Sequence, residues 1–421
     1  MKKKFLYNIL ILATLIILFF TTVNYAETSG CVLRSSRCGL KKEVEEMMSI
    51  AKMTYEFKGY PTFSVTDPAL LVVLSNAVGA NVQLYFCHGD QTLITFEEGG
   101  LTTTNSGNKS IVFPGKIEEK NLYFYSINMV NWSNKKLVTL ATCYSAGKDE
   151  FSRESIAHQI AELGSQMVVG WTSQFSSLSG PDWLNTYHDK LTKGATVLEA
   201  MEEANKKFYV YGNVKNSHLS YNSITSISQE NKLLSATTDI VKKEENNNIL
   251  SEKEKGKFKE SQVENIIKSN DINFNIDNYE KRVLDGLYIC DVATGIVQKE
   301  ESYIDYVYKI GDFITDSAYT VVLDKDNNIK EINDYTKEIP TTISINSNNT
   351  DGFSISDEVS NFYLNKAKSN IEKKDDIEKE EIIFYYDIEK NKRYAYVDIV
   401  LNNSYTTDNL HYEYEIQENN I

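Results

Sequence analysis

Two short apolar runs, each of strand length, end abruptly in reactive side chains. Val82 to Phe86 stops at Cys87-His88-Gly89, and Leu137 to Ala141 stops at Thr142-Cys143. Short apolar runs of this kind, separated by helix-like intervals, predict buried strands of a parallel sheet. Pro61 to Val65 and Gln166 to Gly170 predict two more strands. Between them, apolar residues at helical spacing predict helices over 43–57, 69–77, 152–163, 183–191 and 196–208. Asp67-Pro68 reads as the N-cap and first position of the second helix. Gly164 closes the third, and Lys193-Gly194 divides the last two. Thr92 to Thr103 predicts a hairpin turning at Glu98-Gly99-Gly100, and 105–135 a polar loop with one apolar patch at Leu122 to Tyr125. Strands alternating with helices imply a layered α/β domain with a mainly parallel sheet, spanning 27–222.

The pattern changes after residue 222. Residues 223–271 are dominated by Lys, Glu, Asn and Ser, as in Lys242 to Asn248, and predict an exposed charged linker with some helical tendency. From 272 to 421 the alternation is that of strands. Tyr319 to Asp324 precedes a turn at Lys325 to Asn328, and Ile382 to Tyr386 pairs with Arg393 to Leu401 through Glu389 to Lys392. A helix over about 356–373 separates the two groups. This predicts a smaller C-terminal α+β module without a catalytic constellation of its own.

Composition narrows the function classes. A length of 421 residues suggests two domains, and 41% hydrophobic with 24% charged residues permits a sizeable core. A net charge of −15 and the lack of a basic patch interleaved with aromatics argue against a nucleic-acid partner. Lys2-Lys3-Lys4, the apolar stretch Phe5 to Val23 and the small residues ending at Ala26 have the layout of a signal peptide over 1–26. The stretch is also long enough to remain as a membrane anchor. Either way the chain is expected outside the bacterial cytoplasm, secreted or at the cell surface. Five cysteines leave one unpaired whatever the disulfides; Cys31 and Cys38 are spaced to close a small loop, while Cys87 and Cys143 need to stay reduced for thiol chemistry. No CxxC or His-rich signature suggests a metal, and no cofactor is expected.

Chemistry in open α/β sheets sits beyond the carboxyl ends of the strands, so His88 and Cys143 are expected to meet in space. A thiolate is a competent nucleophile, and an imidazole beside it can generate it and protonate the leaving amine. Gly89 lets backbone approach a substrate carbonyl, and its N–H with that of Cys143 suits an oxyanion. A metal site from Cys87, His88, Asp90 and Cys143 is disfavoured, because adjacent residues on a strand point to opposite faces. His158, His188, His218 and His411 lack partners in sequence and are expected at the surface.

Tyr85 to Asp90 (YFCHGD) and Leu137 to Gly147 (LVTLATCYSAG), followed by a helix, Gly164 to Trp171 (GSQMVVGW), a loop and Lys193 to Ala204 (KGATVLEAMEEA), together resemble the caspase-like cysteine peptidases of clan CD, most nearly their CHAT-type and gingipain-like domains. The likeness covers about residues 43–212. It implies a caspase–haemoglobinase α/β fold, a His88/Cys143 dyad, no cofactor and a protein or peptide substrate. It also implies a substrate-binding role for Asp182 and Trp171, with Asp182 gripping a basic P1 side chain; Asp90 is a second acidic candidate. Cys87 stands where Ser or Gly is commoner before the histidine, and Ala146 where Gly is usual. The expectation is an exported cysteine endopeptidase, its lysine-rich linker open to self-processing and its C-terminal module able to inhibit or to bind a partner. The rival is a caspase-like surface binding protein without catalysis.

Overall fold

The computed structural model describes residues 29–38, 41–112, 119–148, 152–222, 247–251, 253–338, 353–372, 374, 377–402 and 407–416. The expected signal segment, Lys242 and Lys243 lie outside them. In chain order the first half forms β1 (Gly30–Arg34), α1 (Lys41–Phe57), β2 (Thr62–Thr66), α2 (Leu70–Gly79), β3 (Val82–Phe86), β4 (His88–Asp90), β5 (Leu93–Phe96), β6 (Gly99–Thr102), β7 (Gly107–Val112), β8 (Glu119–Ser126), β9 (Leu137–Ala141), α3 (Ile156–Glu162), β10 (Met167–Trp171), α4 (Gly180–Thr192), α5 (Val197–Lys206) and β11 (Ser217–Tyr221).

The main sheet of this half runs β2-β1-β3-β9-β10-β11, parallel except for β11, which is antiparallel to β10. The layered α/β fold with a mainly parallel sheet, expected from the sequence, is therefore the fold of this half. Every residue of β1, β3, β9 and β10 is buried, because helices cover both faces. Met47 and Tyr55 of α1, Trp183 and Tyr187 of α4 and Met201 of α5 pack on one face with Leu84 and Val169. Val73 of α2 and Ile156 and Ile160 of α3 pack on the other with Leu33 and Leu140. Thr196 and Glu199 close a reciprocal capping box on α5, and Ser155 caps α3 by accepting from the His158 N–H.

Three local expectations change. Asp67 does not cap α2: its φ is 49°, its carboxylate accepts the Ser36 N–H at 2.7 Å, and the N-cap position falls to Ala69. Residues 105–135 are not a plain loop, because β7 and β8 pair within a second sheet ordered β4-β5-β6-β8-β7. Leu122 and Phe124 alternate inward there onto Leu93 and Ile111. Cys31 and Cys38 are not bonded to each other; all five cysteines are buried and none forms a disulfide. Among the described residues no helix is long and apolar enough to cross a membrane.

After residue 247 the chain forms α6 (Glu260–Asn270), β12 (Tyr279–Asp291), β13 (Ile296–Ile310), β14 (Phe313–Asp324), β15 (Ile329–Tyr335), α7 (Asp357–Lys368), β16 (Ile377–Asp387), β17 (Lys392–Asn402) and β18 (Thr407–Glu415). The stretch read as exposed linker thus contains a helix whose Val263, Ile266 and Ile267 are buried against Tyr306 and Val321. β12 pairs in parallel with β11, His218 opposite Tyr288, so the C-terminal strands continue the main sheet. Beside that seam Lys215 Nζ lies 2.7 Å and 2.9 Å from the two carboxylate oxygens of Asp305, and Thr320 Oγ1 donates to Asp305 at 2.7 Å. Both ionic side chains are 0% exposed.

A buried charge stripped of its partner is far more costly than an ion pair replaced whole by apolar groups. Lys215→Met is therefore expected to lower the unfolding free energy by about 3–5 kcal/mol. The double variant Lys215→Met/Asp305→Leu should recover most of it, as read by urea titration.

Candidate active site

The parallel register of β3 and β9 builds the site. Val82 lies opposite Leu137 and Phe86 opposite Ala141, so both strands end at the same level. Beyond that level the two chains diverge. After Phe86 the backbone leaves the main sheet, and His88 begins β4, opposite Thr95 of β5. After Ala141 it enters a tight turn at Thr142 to Gly147, pinned by Ser145, whose hydroxyl donates to Leu140 O at 2.9 Å and accepts the Trp171 N–H at 3.1 Å. Tyr144, directly after Cys143, holds a φ of 52°, and its N–H reaches Ser173 O at 2.9 Å. A left-handed conformation in a non-glycine residue needs such enforcement by its neighbours.

Gly89 shows how closely the strand ends approach. A Cβ built on it would lie 2.7 Å from Leu93 O and 2.8 Å from Thr142 Oγ1, the residue before the candidate nucleophile. His88 and Cys143 both line one small cavity with Cys38, Cys87, Phe86, Phe175 and the rim residue Arg37. His88 is 5% exposed and Cys143 4%. The cavity has a volume of about 20 Å³, room for a single water. A peptide bond can enter only if the rim moves apart.

Cys38 was missed as a site residue. Its Sγ is 3.6 Å from His88 Nε2, which places a thiol other than Cys143 in contact with the imidazole. A lone cysteine 50 positions upstream of the histidine carries no local signal; the turn after β1 brings it in. Arg37 beside it pairs with Glu97 at 2.6 Å across the rim.

The two residues expected to bind substrate are elsewhere. Trp171 is fully enclosed in the core, edge-on to Phe175 and Trp183, with its indole N–H donated to Val214 O at 2.8 Å. It buttresses the floor of the site and has no surface to offer a substrate. Asp182, in the first turn of α4, lines a different and larger cavity. Burial raises its pKa, and Lys207 partly opposes this. Asp90 accepts the Gln91 N–H and lies 4.0 Å from Lys148. Ala146 fits because the residue it packs against, Gly170, has no side chain.

The four other histidines are buried rather than on the surface. His158, His188 and His218 are 1%, 0% and 0% exposed, and the His411 side chain 2%. His188 Nδ1 is 2.8 Å from Leu184 O and its ring stands edge-on to Tyr55. The surface was expected for all four because none has a partner in the neighbouring sequence; partners from other segments cover them, as Tyr55 does His188. Among the described residues no three His, Cys, Asp or Glu side chains are placed to hold a metal.

No protein-family model matches the chain, and no curated protein gives a significant match. Among solved structures, it is similar to the Arg-specific cysteine proteinase gingipain R, with a TM-score of 0.36 and 10% identity over 94% of this chain and 68% of that one. It is likewise similar to a complex of the Porphyromonas gingivalis RgpB pro- and mature domains, with a TM-score of 0.36 and 9% identity over 94% of this chain and 71% of that one. At these scores the likeness assigns no residue a role.

Gly89→Ala forces its methyl onto Thr142, and is expected to cost about 1–3 kcal/mol of stability, as overpacking does. Thermal unfolding together with the rate of thiol labelling at Cys143 would register the shift; a variant as stable and as reactive as the parent would show the contact to be soft. The histidines give a second test. Burial lowers the pKa of His188 to about 4 and those of His218 and His411 to about 3. As pH falls below the ordinary histidine value of about 6.5, the unfolded chain takes up protons that the folded chain refuses. Their contribution to stability is therefore complete above about 6.5 and lost as pH falls toward 4 and 3. Urea unfolding across this window should show a slope that His188→Gln reduces.

Proposed function

We propose that the chain is a cysteine endopeptidase in which Cys143 is the nucleophile and His88 its acid/base partner. The observation that supports this most is the common level at which β3 and β9 end, with both side chains on one cavity wall. In this reading His88 takes the thiol proton, Cys143 Sγ attacks the peptide carbonyl, and the Gly89 and Cys143 N–H groups stabilise the oxyanion. His88 then protonates the leaving amine, and water hydrolyses the thioester. No cofactor enters the scheme. Export, by cleavage of residues 1–26 or with that segment kept as an anchor, belongs to the same proposal. So does a C-terminal module that restrains the peptidase or binds a partner.

A preference for basic P1 residues is less well supported. Among the described residues, no carboxylate lines the thiol cavity, and Asp182 is not on its wall. A second reading, a binding protein that retains the fold without catalysis, draws on the cavity volume of about 20 Å³ and on the Cys38 thiol against His88.

Incubating residues 27–421 with a mixed peptide library beside the Cys143→Ala variant decides between them. Cleavage by the parent alone establishes the peptidase and reads out P1 directly. Labelling of Cys143 by a thiol-reactive probe should fall at least tenfold in His88→Ala. Absence of cleavage before and after limited proteolysis, with unchanged labelling in His88→Ala, would leave the binding protein standing.

A further inference from the structure

A second cavity is much larger than the thiol cavity. It has a volume of about 380 Å³, within the usual range of small-molecule sites of about 300–1,000 Å³. It shares no lining residue with the thiol cavity, although the loop carrying Phe175 and Ser177 on one side carries Leu178 and Ser179 on the other. Its walls come from both halves of the chain, with α1, the start of α4 and the segment 208–211 facing β14, β16, β17 and β18.

The charges on the C-terminal wall are largely matched among themselves. Lys337 pairs with Asp316 and, at 2.7 Å, with Glu389, and Lys390 pairs with Asp387 at 2.8 Å. Three further carboxylates face the cavity, one each from α1, α4 and β18: Glu43, Asp182 and Glu413. None has a lysine or arginine within salt-bridge distance among the described residues. Burial raises the pKa of both Asp182 and Glu413; Lys207 opposes this at Asp182 and Lys390 at Glu413, while Glu43 adds to the rise at each. The remaining surface is aromatic, with Phe208, Tyr209, Tyr385 and Tyr396 on the wall. Tyr211 lines the cavity too, only 6% exposed, and its hydroxyl has no hydrogen-bond partner. An unsatisfied buried hydroxyl carries a penalty of about 1–3 kcal/mol that a bound donor or acceptor would relieve.

We propose that this cavity is a binding site for an organic cation, an ammonium or guanidinium group held by Glu43, Asp182 and Glu413 and packed against the tyrosine faces. Carboxylates supply charge-assisted hydrogen bonds to such a group, and aromatic faces attract it through their quadrupole. A metal ion is the poorer match, because it needs a compact ligand set and the described carboxylates form none. The same chemistry is offered by a lysine or arginine side chain of a peptide and by a free polyamine. Because the walls come from both halves, an occupant would hold the C-terminal strands against α1 and α4. The proposal stands independently of whether Cys143 is catalytic.

The test is calorimetric titration of the Cys143→Ala chain, residues 27–421, with spermidine, with N-acetyl-arginine amide and with calcium chloride at 150 mM salt. Saturable binding of either organic cation, weakened at least tenfold in Asp182→Asn and in Glu413→Gln, is the expected result. Spermidine alone would point to a free polyamine, and the arginine amide alone to a peptide side chain. Glu43→Gln, at an exposed helix position, gives a third variant should either of the other two substitutions fail to fold. Binding of neither organic cation, equal binding by all variants, or calcium binding displaced by neither organic cation would overturn the proposal.

Discussion

The site depends on a single constraint, the parallel pairing of β3 with β9 in a register that ends both strands together at Phe86 and Ala141. A slip of one residue would turn every side chain of a strand to the opposite face. Burial on both faces forbids that, because Leu84 and Leu140 already belong to opposite cores. Everything chemically reactive follows from the next few residues. Cys87 and His88 leave along β4 into the second sheet, Thr142 and Cys143 turn under Tyr144, and Gly89 is the only residue type that fits where these two paths cross. The thiol and the imidazole therefore share a wall because both stand just beyond the buried ends of their strands.

The same sheet also carries the second half of the chain. Parallel pairing of β11 with β12, fastened by the enclosed Lys215–Asp305 ion pair, makes the C-terminal strands an extension of the first half's sheet. An enclosed ion pair is a modest contributor to net stability but a severe test of register, since any misplacement leaves one charge uncompensated. The seam fixes how β14 and β16–β18 face α1 and α4. That placement encloses the acidic, tyrosine-walled cavity, to which the two halves contribute comparably. Two cavities, one narrow and thiol-lined and one wide and anionic, thus stand on either side of the loop 175–179.

Much of this was legible along the chain. Five-residue apolar runs with no alternation announced doubly covered strands, and the glycines at 164 and 194 marked helix ends where φ is indeed positive. The β16–β17 pair followed from its turn residues, and the hairpin over 92–103 formed as expected, though it turns at Glu97-Glu98 and Gly99-Gly100 already belong to β6. Less legible were β7 and β8, where Gly, Asn and Lys dilute the alternation, and α6, where a charged surface hides a three-residue apolar face. The buried histidines misled for a different reason. A polar residue on a helix face predicts solvent only when nothing else packs on that face, and His188 meets Tyr55 from another helix.

The sequence by itself determined the α/β layering of the first half, the strand ends at which His88 and Cys143 stand, and the strand-rich character of the second half. These are consequences of local pattern, because burial on two faces, helical spacing and turn chemistry are written in neighbouring residues. Only the tertiary structure decided that Cys38 lies against His88, that Trp171 is a buttress, and that Asp182 faces the C-terminal strands instead of the thiol. Each of those facts rests on a contact between segments tens to hundreds of residues apart. Such contacts are set by sheet order and register, which no local pattern encodes.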